Sequence, residues 1–368
     1  MNDFEYWKRL HESEKLEKFN TDQKGLLWLK VKSIVRKALI SEFVLDNGIE
    51  LKETSLKRQF VELYALLLKN TSESHKLLNG YIEKKNKSAL AGLDSKKLVS
   101  ELYKLKSFDW GGDYQNSLDK YLVGRYVKGL QSYDTLMSKF ETEISAAVQG
   151  YVLNSWYNHW SSILIEHLFK SHKRVLPTVG QIKHVDFFIR DIPFDLKVTY
   201  LPAEYIKARR KALGLPVEIT YLKAKAKELK IDFDKSAKHG DIYYEIIEKM
   251  KDRNDEACRK VIDTLRTEKM NILTEARKQP HRLAQWLYEN QGEMRFGSEN
   301  RLFLVLVDTD DFNSSWKLKR NMELLKPVIN RYLDDFEKKK LADLKVTFKY
   351  KGQSQAFTAL TDVIFVAK

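Results

Sequence analysis

Phe194 to Thr199 alternates cleanly: Phe194, Leu196 and Val198 share one face, and Asp195, Lys197 and Thr199 share the other. A carboxylate and an ammonium therefore sit side by side. The segment before it sets Asp186 among Val185, Phe187 and Phe188, where a charge is costly unless it is paired or bound to a cation. An antiparallel hairpin around residues 190 to 193 brings Asp186 and Asp195 within a residue or two of opposite registry, with Lys197 alongside. Two acids and a lysine so placed suit phosphodiester hydrolysis. Mg²⁺ prefers oxygen ligands and keeps waters beside one or two carboxylates, so it clamps the scissile phosphate and acidifies a bound water. The lysine orients that water or offsets the charge building on the phosphate oxygens. No covalent enzyme intermediate is needed.

An acid-x-Lys triplet alone carries little weight, because Asp22-Gln-Lys24, Asp94-Ser-Lys96 and Glu228-Leu-Lys230 match it through composition. Asp343-Leu-Lys345-Val-Thr even repeats the five letters of Asp195-Leu-Lys197-Val-Thr. Context separates the two: the 343 copy follows a charged helix end, and the first follows the Asp186 segment by one turn. Asp308, Asp310 and Asp311 read as a polar strand end. The simpler alternative for Asp186 is a buried salt bridge to Lys197 with no metal. His184 falls on the Asp186 face of its strand, either assisting or incidental. Gln291 and Arg295, in the polar block 288–301, are phosphate contacts or else part of a helix C-terminal turn around Gly292 and Gly297.

The elements that must hold these residues follow from composition. The chain has 368 residues, enough for two to three units at about 150 residues each. No proline occurs before Pro177, and apolar spacings of three and four over Gly25 to Phe43 and Ser55 to Leu68 predict a helical N-terminal half. Ser132 to His172 reads as one or two long helices. Strands are expected at 182–189, 193–201, 301–308, 343–350 and 361–368, with a helix around Trp316 to Leu333. Residues 203–300 return to helical, charged sequence. The expected architecture is α/β (α+β), a mixed sheet flanked by helices, with a helical N-terminal region at 1–130 serving recognition or dimerisation. The core then spans 131–368, with a helical insertion at 203–300.

The 65 Lys and Arg against 51 Asp and Glu give a net charge of +14, which favours a polyanion partner, nucleic acid first. Two stretches concentrate it: Lys76 to Lys106 with eight Lys against three acids, and Ala203 to Lys230 with eight Lys or Arg against three Glu. Lys207, Arg209, Arg210 and Lys211 are the candidate phosphate contacts. Cys258 is the single cysteine, so no internal disulfide forms, and with eight His it excludes thiolate-rich zinc sites. Any metal is expected on oxygen ligands. The opening Met-Asn-Asp-Phe-Glu-Tyr-Trp-Lys lacks a signal-peptide layout, and no apolar run reaches membrane length, so a cytoplasmic, membrane-free protein is expected.

A helix bearing Glu166, then Val-Asp-Phe-Phe-Ile with Asp186, then Pro-Phe-Asp-Leu-Lys-Val-Thr with Asp195 and Lys197, resembles the PD-(D/E)XK nuclease superfamily, nearest in texture to type II restriction endonucleases. The resemblance covers residues 160–200, and more loosely the strand at 301–308. It implies a restriction-endonuclease-like sheet with Asp186 and Asp195 as ligands of Mg²⁺, Lys197 as the catalytic lysine, and Glu166 as the helix acid supporting the metal waters. Val185 stands where a proline usually precedes the first acid, and the second acid is Asp rather than Glu. The implied activity is that of a type II site-specific deoxyribonuclease cutting double-stranded DNA. A homodimer is implied too, as is a cognate DNA methyltransferase that is not physically bound. A defence nuclease without sequence specificity, or an inactive DNA-binding protein on a nuclease-like fold, are the alternatives.

Overall fold

The computed structural model describes residues 2–108, 117–237, 239–290, 299–350 and 354–368. Gln291 and Arg295 lie outside them. In chain order the elements begin with nine helices: α1 (Asp3–Glu12), α2 (Gln23–Ser33), α3 (Lys37–Asp46), α4 (Leu56–Leu67), α5 (Thr71–Ala91), α6 (Ser95–Leu102), α7 (Leu118–Leu122), α8 (Tyr133–Lys139) and α9 (Ser145–Lys170). Three strands follow, β1 (Val175–Ile182), β2 (Val185–Ile189) and β3 (Ile192–Tyr200). Then come α10 (Ala203–Ala212), α11 (Glu218–Glu228), α12 (His239–Arg253), α13 (Glu256–Lys278), α14 (Pro280–Asn290) and β4 (Arg301–Val307). The chain closes with α15 (Met322–Asp335), α16 (Leu341–Leu344), β5 (Lys345–Lys349) and β6 (Ala356–Ala367). The protein is thus α+β, with a mixed sheet.

Two compact units form, one of Met1–Leu196 with Asp311–Lys339 and the other of Lys197–Asp310 with Lys340–Lys368. The expected boundary near residue 130 is not where the chain divides. The reason is α2, whose Leu26, Leu27, Trp28, Leu29 and Val31 are all buried, so the helix is apolar around most of its girth and needs cover on every side. Helices α1 and α4 supply part of that cover, and Ile182, Val185 and Phe188 of the strands complete the same core. Gly180 of β1 comes so close to α2 that a Cβ there would lie 2.5 Å from the Ser33 carbonyl oxygen. The N-terminal helices and the hairpin share one core.

Within the first unit β1, β2 and β3 form an antiparallel meander. Residues 132–172 are helical nearly throughout: α8 runs through a π-helical stretch, Phe140–Ile144, into α9. Phe169 near the end of α9 stacks on Phe187 of β2, centroids 5.3 Å apart, and so docks the helix on the sheet. The helix expected over Trp316 to Leu333 is split, with a 3₁₀ stretch at Phe312–Arg320 and then α15, which Asn321 caps through the Leu324 N–H.

The second unit pairs β4 with β6 in parallel and β5 with β6 antiparallel. All seven residues of β4 are buried, as a continuous apolar run requires. Helix α14 lies on β5 and β6, where Tyr288 stacks on Phe348 at 4.3 Å. The stretch 203–300 carries its own small core, with Leu222, Ile242, Ile246, Met250 and Leu265 packing α11, α12 and α13 together. No helix among the described residues is long and apolar enough to cross a membrane.

Candidate active site

The hairpin that carries the acids turns through only two residues, Arg190 and Asp191, between Ile189 and Ile192. Both have positive φ, 52° and 60°, as tight two-residue hairpin loops demand, yet neither is the Gly or Asn that adopts it cheaply. Side-chain bonds hold the strain. Arg190 donates through Nη1 to the carbonyls of Glu337 (3.3 Å) and Lys339 (2.8 Å). Asp191 accepts from the fully buried Lys30 of α2 at 2.7 Å. Lys30 also lies 3.2 Å from His75 Nδ1, and His75 Nε2 lies 3.0 Å from the Gln23 carbonyl. That carbonyl can only accept, so the ring carries its proton on Nε2 and Nδ1 receives the lysine.

The turn fixes the register, in which Phe187 pairs with Phe194 and Phe188 with Pro193. Asp186 and Asp195 each lie one residue beyond the last pair of this ladder, Phe187 with Phe194. The Leu196 N–H donates to Asp186 Oδ2 at 2.8 Å, which ties the first acid to the strand of the second. Burial, then the neighbouring Asp195 charge, push the Asp186 carboxyl up to about 6, and Glu166 adds to the rise against the Leu196 bond and Lys170. Asp195 and Glu166, both in the first unit, thus act electrostatically on Asp186. Lys197 follows Asp195 on the same face of β3, at the point where that strand passes from one unit to the next. Glu166 accepts from Lys170, one helical turn on, at 2.9 Å.

The donor set fits Mg²⁺. The cost of ionising the buried Asp186 beside a second carboxylate is relieved by a divalent cation on hard oxygen ligands. Among the described residues no group of three or more His, Cys, Asp or Glu is placed to enclose a metal. The protein offers a pair of acids rather than a cage, the arrangement an ion that retains its waters prefers.

The look-alike motifs resolve differently. Asp22 and Asp94 are helix N-caps, accepting from Lys24 and Gly25 N–H groups and from the Lys97 N–H. Asp343 sits exposed in the four-residue α16, accepting from the Lys340 N–H at 3.2 Å, and is not on the strand that follows. Asp311 caps the Phe312–Arg320 stretch through the Asn313 N–H, while Asp308 and Asp310 lie 3.7 and 3.9 Å from Lys368 Nζ. His184 is not on the Asp186 face of a strand. It occupies the β1–β2 turn at φ 67°, 3.4 Å from Glu14, so its side chain is directed by the turn.

Of the four basic candidates on α10, two have other uses. Arg210 is fully buried, ion-paired to Glu268 and donating to the Pro216 carbonyl at 2.8 Å. Arg209 makes a two-pronged pair with Glu275, at 3.1 and 2.7 Å. Both guanidiniums fasten α10 to α13. Lys207 pairs with its helix neighbour Glu204 at 3.4 Å, and Lys211 is exposed. The sequence pattern singles out neither Lys170 nor Lys30, and shows Asp191 only as part of a tight connection. The i,i+4 spacing of Glu166 and Lys170 was available as a signal; nothing local links Lys30 to a turn 161 positions away.

No family model, curated protein or solved structure matches this chain.

Proposed function

We propose that this chain is a Mg²⁺-dependent endonuclease of the PD-(D/E)XK type, hydrolysing phosphodiester bonds of double-stranded DNA at a specific sequence, as type II restriction enzymes do. The observation that carries the reading is the pairing of Phe187 with Phe194, one residue short of Asp186 and Asp195, together with the Leu196 N–H bond to Asp186 and an Asp186 carboxyl pushed up to about 6 by burial and its acidic neighbours. A buried carboxylate whose ionisation is this costly, beside a second acid, is typical of sites that work on a cation or a proton.

Asp186 and Asp195 are the residues to hold the ion. When bound, Mg²⁺ supplies charge to the scissile phosphate and a more acidic water. Lys197 donates to the attacking water or to the phosphate oxygens as negative charge accumulates there. Glu166, held by Lys170, accepts hydrogen bonds from water at the rim of the pair. The net charge of +14 draws the polyanion. Cutting both strands of a duplex takes two such sites, so a homodimer on a palindromic target is part of the proposal.

Plasmid DNA incubated with the protein and Mg²⁺ tests it. Discrete bands are expected. A smear would replace the sequence-specific reading with a nonspecific defence nuclease, and intact plasmid at every Mg²⁺ concentration would leave only a binding protein.

A further inference from the structure

Beside the acids, the first unit holds a half-open cavity of about 480 Å³ between α5, α9 and β1. Leu90, Ile163 and Val179 give it apolar walls, and Asn86, His167 and Thr178 bring polar atoms to it. It is joined to the acid pair by two of its own lining residues. Glu166 lines it and acts electrostatically on Asp186, and Thr178 donates through Oγ1 to the Asp186 backbone carbonyl at 3.1 Å. The Asn86 amide donates to the Lys170 carbonyl at 2.8 Å, which fixes the side chain and leaves Oδ1 as its acceptor toward a ligand. Lys85 and Lys170 stand at the same cavity, each already ion-paired, Lys85 to Glu42 and Lys170 to Glu166.

The volume falls in the range of small-molecule sites, and apolar walls with a few placed hydrogen-bonding groups suit a heteroaromatic ring. A metal or free phosphate is a poor match for aliphatic walls. Burial lowers the basicity of His167, so near neutral pH the ring offers one donor and one acceptor, suited to an uncharged base edge. A nucleotide unstacked from a strand whose phosphate lies at Asp186 and Asp195 would find this cavity within reach of its own backbone.

We propose that the α5–α9–β1 cavity is a nucleobase site, receiving one base of the substrate strand unstacked beside the scissile phosphate. The proposal rests on the nuclease reading for the identity of the strand, and its test separates the two. Duplexes spanning the mapped cut, or scanned along their whole length where none is cut, are labelled with 2-aminopurine at each position and bound with Ca²⁺ in place of Mg²⁺, so that they remain uncut. One position next to the scissile phosphate is expected to brighten severalfold, because unstacking relieves the quenching of this base. Ala89 lines the cavity from an exposed helix position, so Ala89→Trp adds bulk there without disturbing the core. It should abolish the brightening and lower cleavage at least tenfold while thermal stability stays at the wild-type value, and Ala89→Ser should restore both.

Cleavage with no brightening at any position overturns the base site and leaves the nuclease reading standing. Brightening on bound oligonucleotides without cleavage of any substrate overturns the nuclease reading and keeps the base site. A response to free 2-aminopurine nucleotide and none to the strand would overturn the proposal in favour of a small-molecule site.

Discussion

The Asp186 carboxylate accepts a backbone bond from Leu196 and feels the Lys170 charge, but burial and like charge outweigh both. Its carboxyl is raised from the ordinary 3.8 to about 6, so the folded protein takes up that proton more readily than the unfolded chain does. The stability this contributes is fully present below about 3.8 and lost as pH climbs through about 6, a change of about 3 kcal/mol. A cation on the ionised pair restores it. Mg²⁺ is therefore expected to raise the melting temperature at pH 8 and to do little at pH 5, and Asp186→Asn should melt higher than wild type at pH 8 without Mg²⁺ and gain nothing from it. Equal Mg²⁺ gains in wild type and variant would remove Asp186 from the ligand set. Lys197→Met keeps the apolar stem and drops the charge, so turnover should fall on the order of a hundredfold or more with stability little changed. If Lys197 instead only neutralises a buried acid, the same change costs about 3–5 kcal/mol, which thermal unfolding with and without Mg²⁺ reads directly.

At the scale of elements, the hairpin's register depends on a turn whose chemistry is not local. Asp191→Asn tolerates the same positive φ but removes the partner of the buried Lys30. The expected loss is about 2 kcal/mol, below the 3–5 of a fully buried pair because Asp191 is half-exposed. Adding Lys30→Met should recover most of it in denaturant melts, since no charge is then stranded; a double variant as unstable as Asp191→Asn would place the cost in the backbone instead. Alternation made β2 and β3 legible in sequence, as did the buried run of β4 and the helical spacing of α9. Strand β1 was hidden because Pro177 and Gly180 read as breakers. Pro177 is tolerated beside the bulge between it and Ile182, and Gly180 admits the close approach to Ser33. The Arg190-Asp191 loop carries none of the Asn-Gly signal of a two-residue turn. Only the partners at Lys30 and in 337–339 explain it, and they are distant in sequence.

Over the whole molecule, charge was legible in composition and its distribution was not. Helix α10 reads as a basic cluster, yet Arg209 and Arg210 are held by Glu275 and Glu268, acids 66 and 58 positions away. If α10 meets DNA, Lys207 and Lys211 are the contacts it offers. Neutralising both should reduce the salt slope of Ca²⁺-supported DNA binding by up to about two. Arg210→Ala should instead unfold the second unit more easily, by about 3–5 kcal/mol, because Glu268 loses a buried partner. An unchanged slope in the lysine variant assigns α10 to solvent. The division at Leu196 and Lys197 was likewise illegible, since it falls inside β3, a strand that is continuous in sequence pattern. Under the proposed function the Asp186–Asp195 pair, and not its five-letter twin at Asp343, performs metal-dependent strand cleavage. Plasmid cleavage in Mg²⁺ by the wild type, Asp195→Ala and Asp343→Ala, each confirmed folded by thermal melting, tests that most directly. Cleavage by the wild type and Asp343→Ala with none by Asp195→Ala is the predicted result; undiminished cleavage by Asp195→Ala would contradict it.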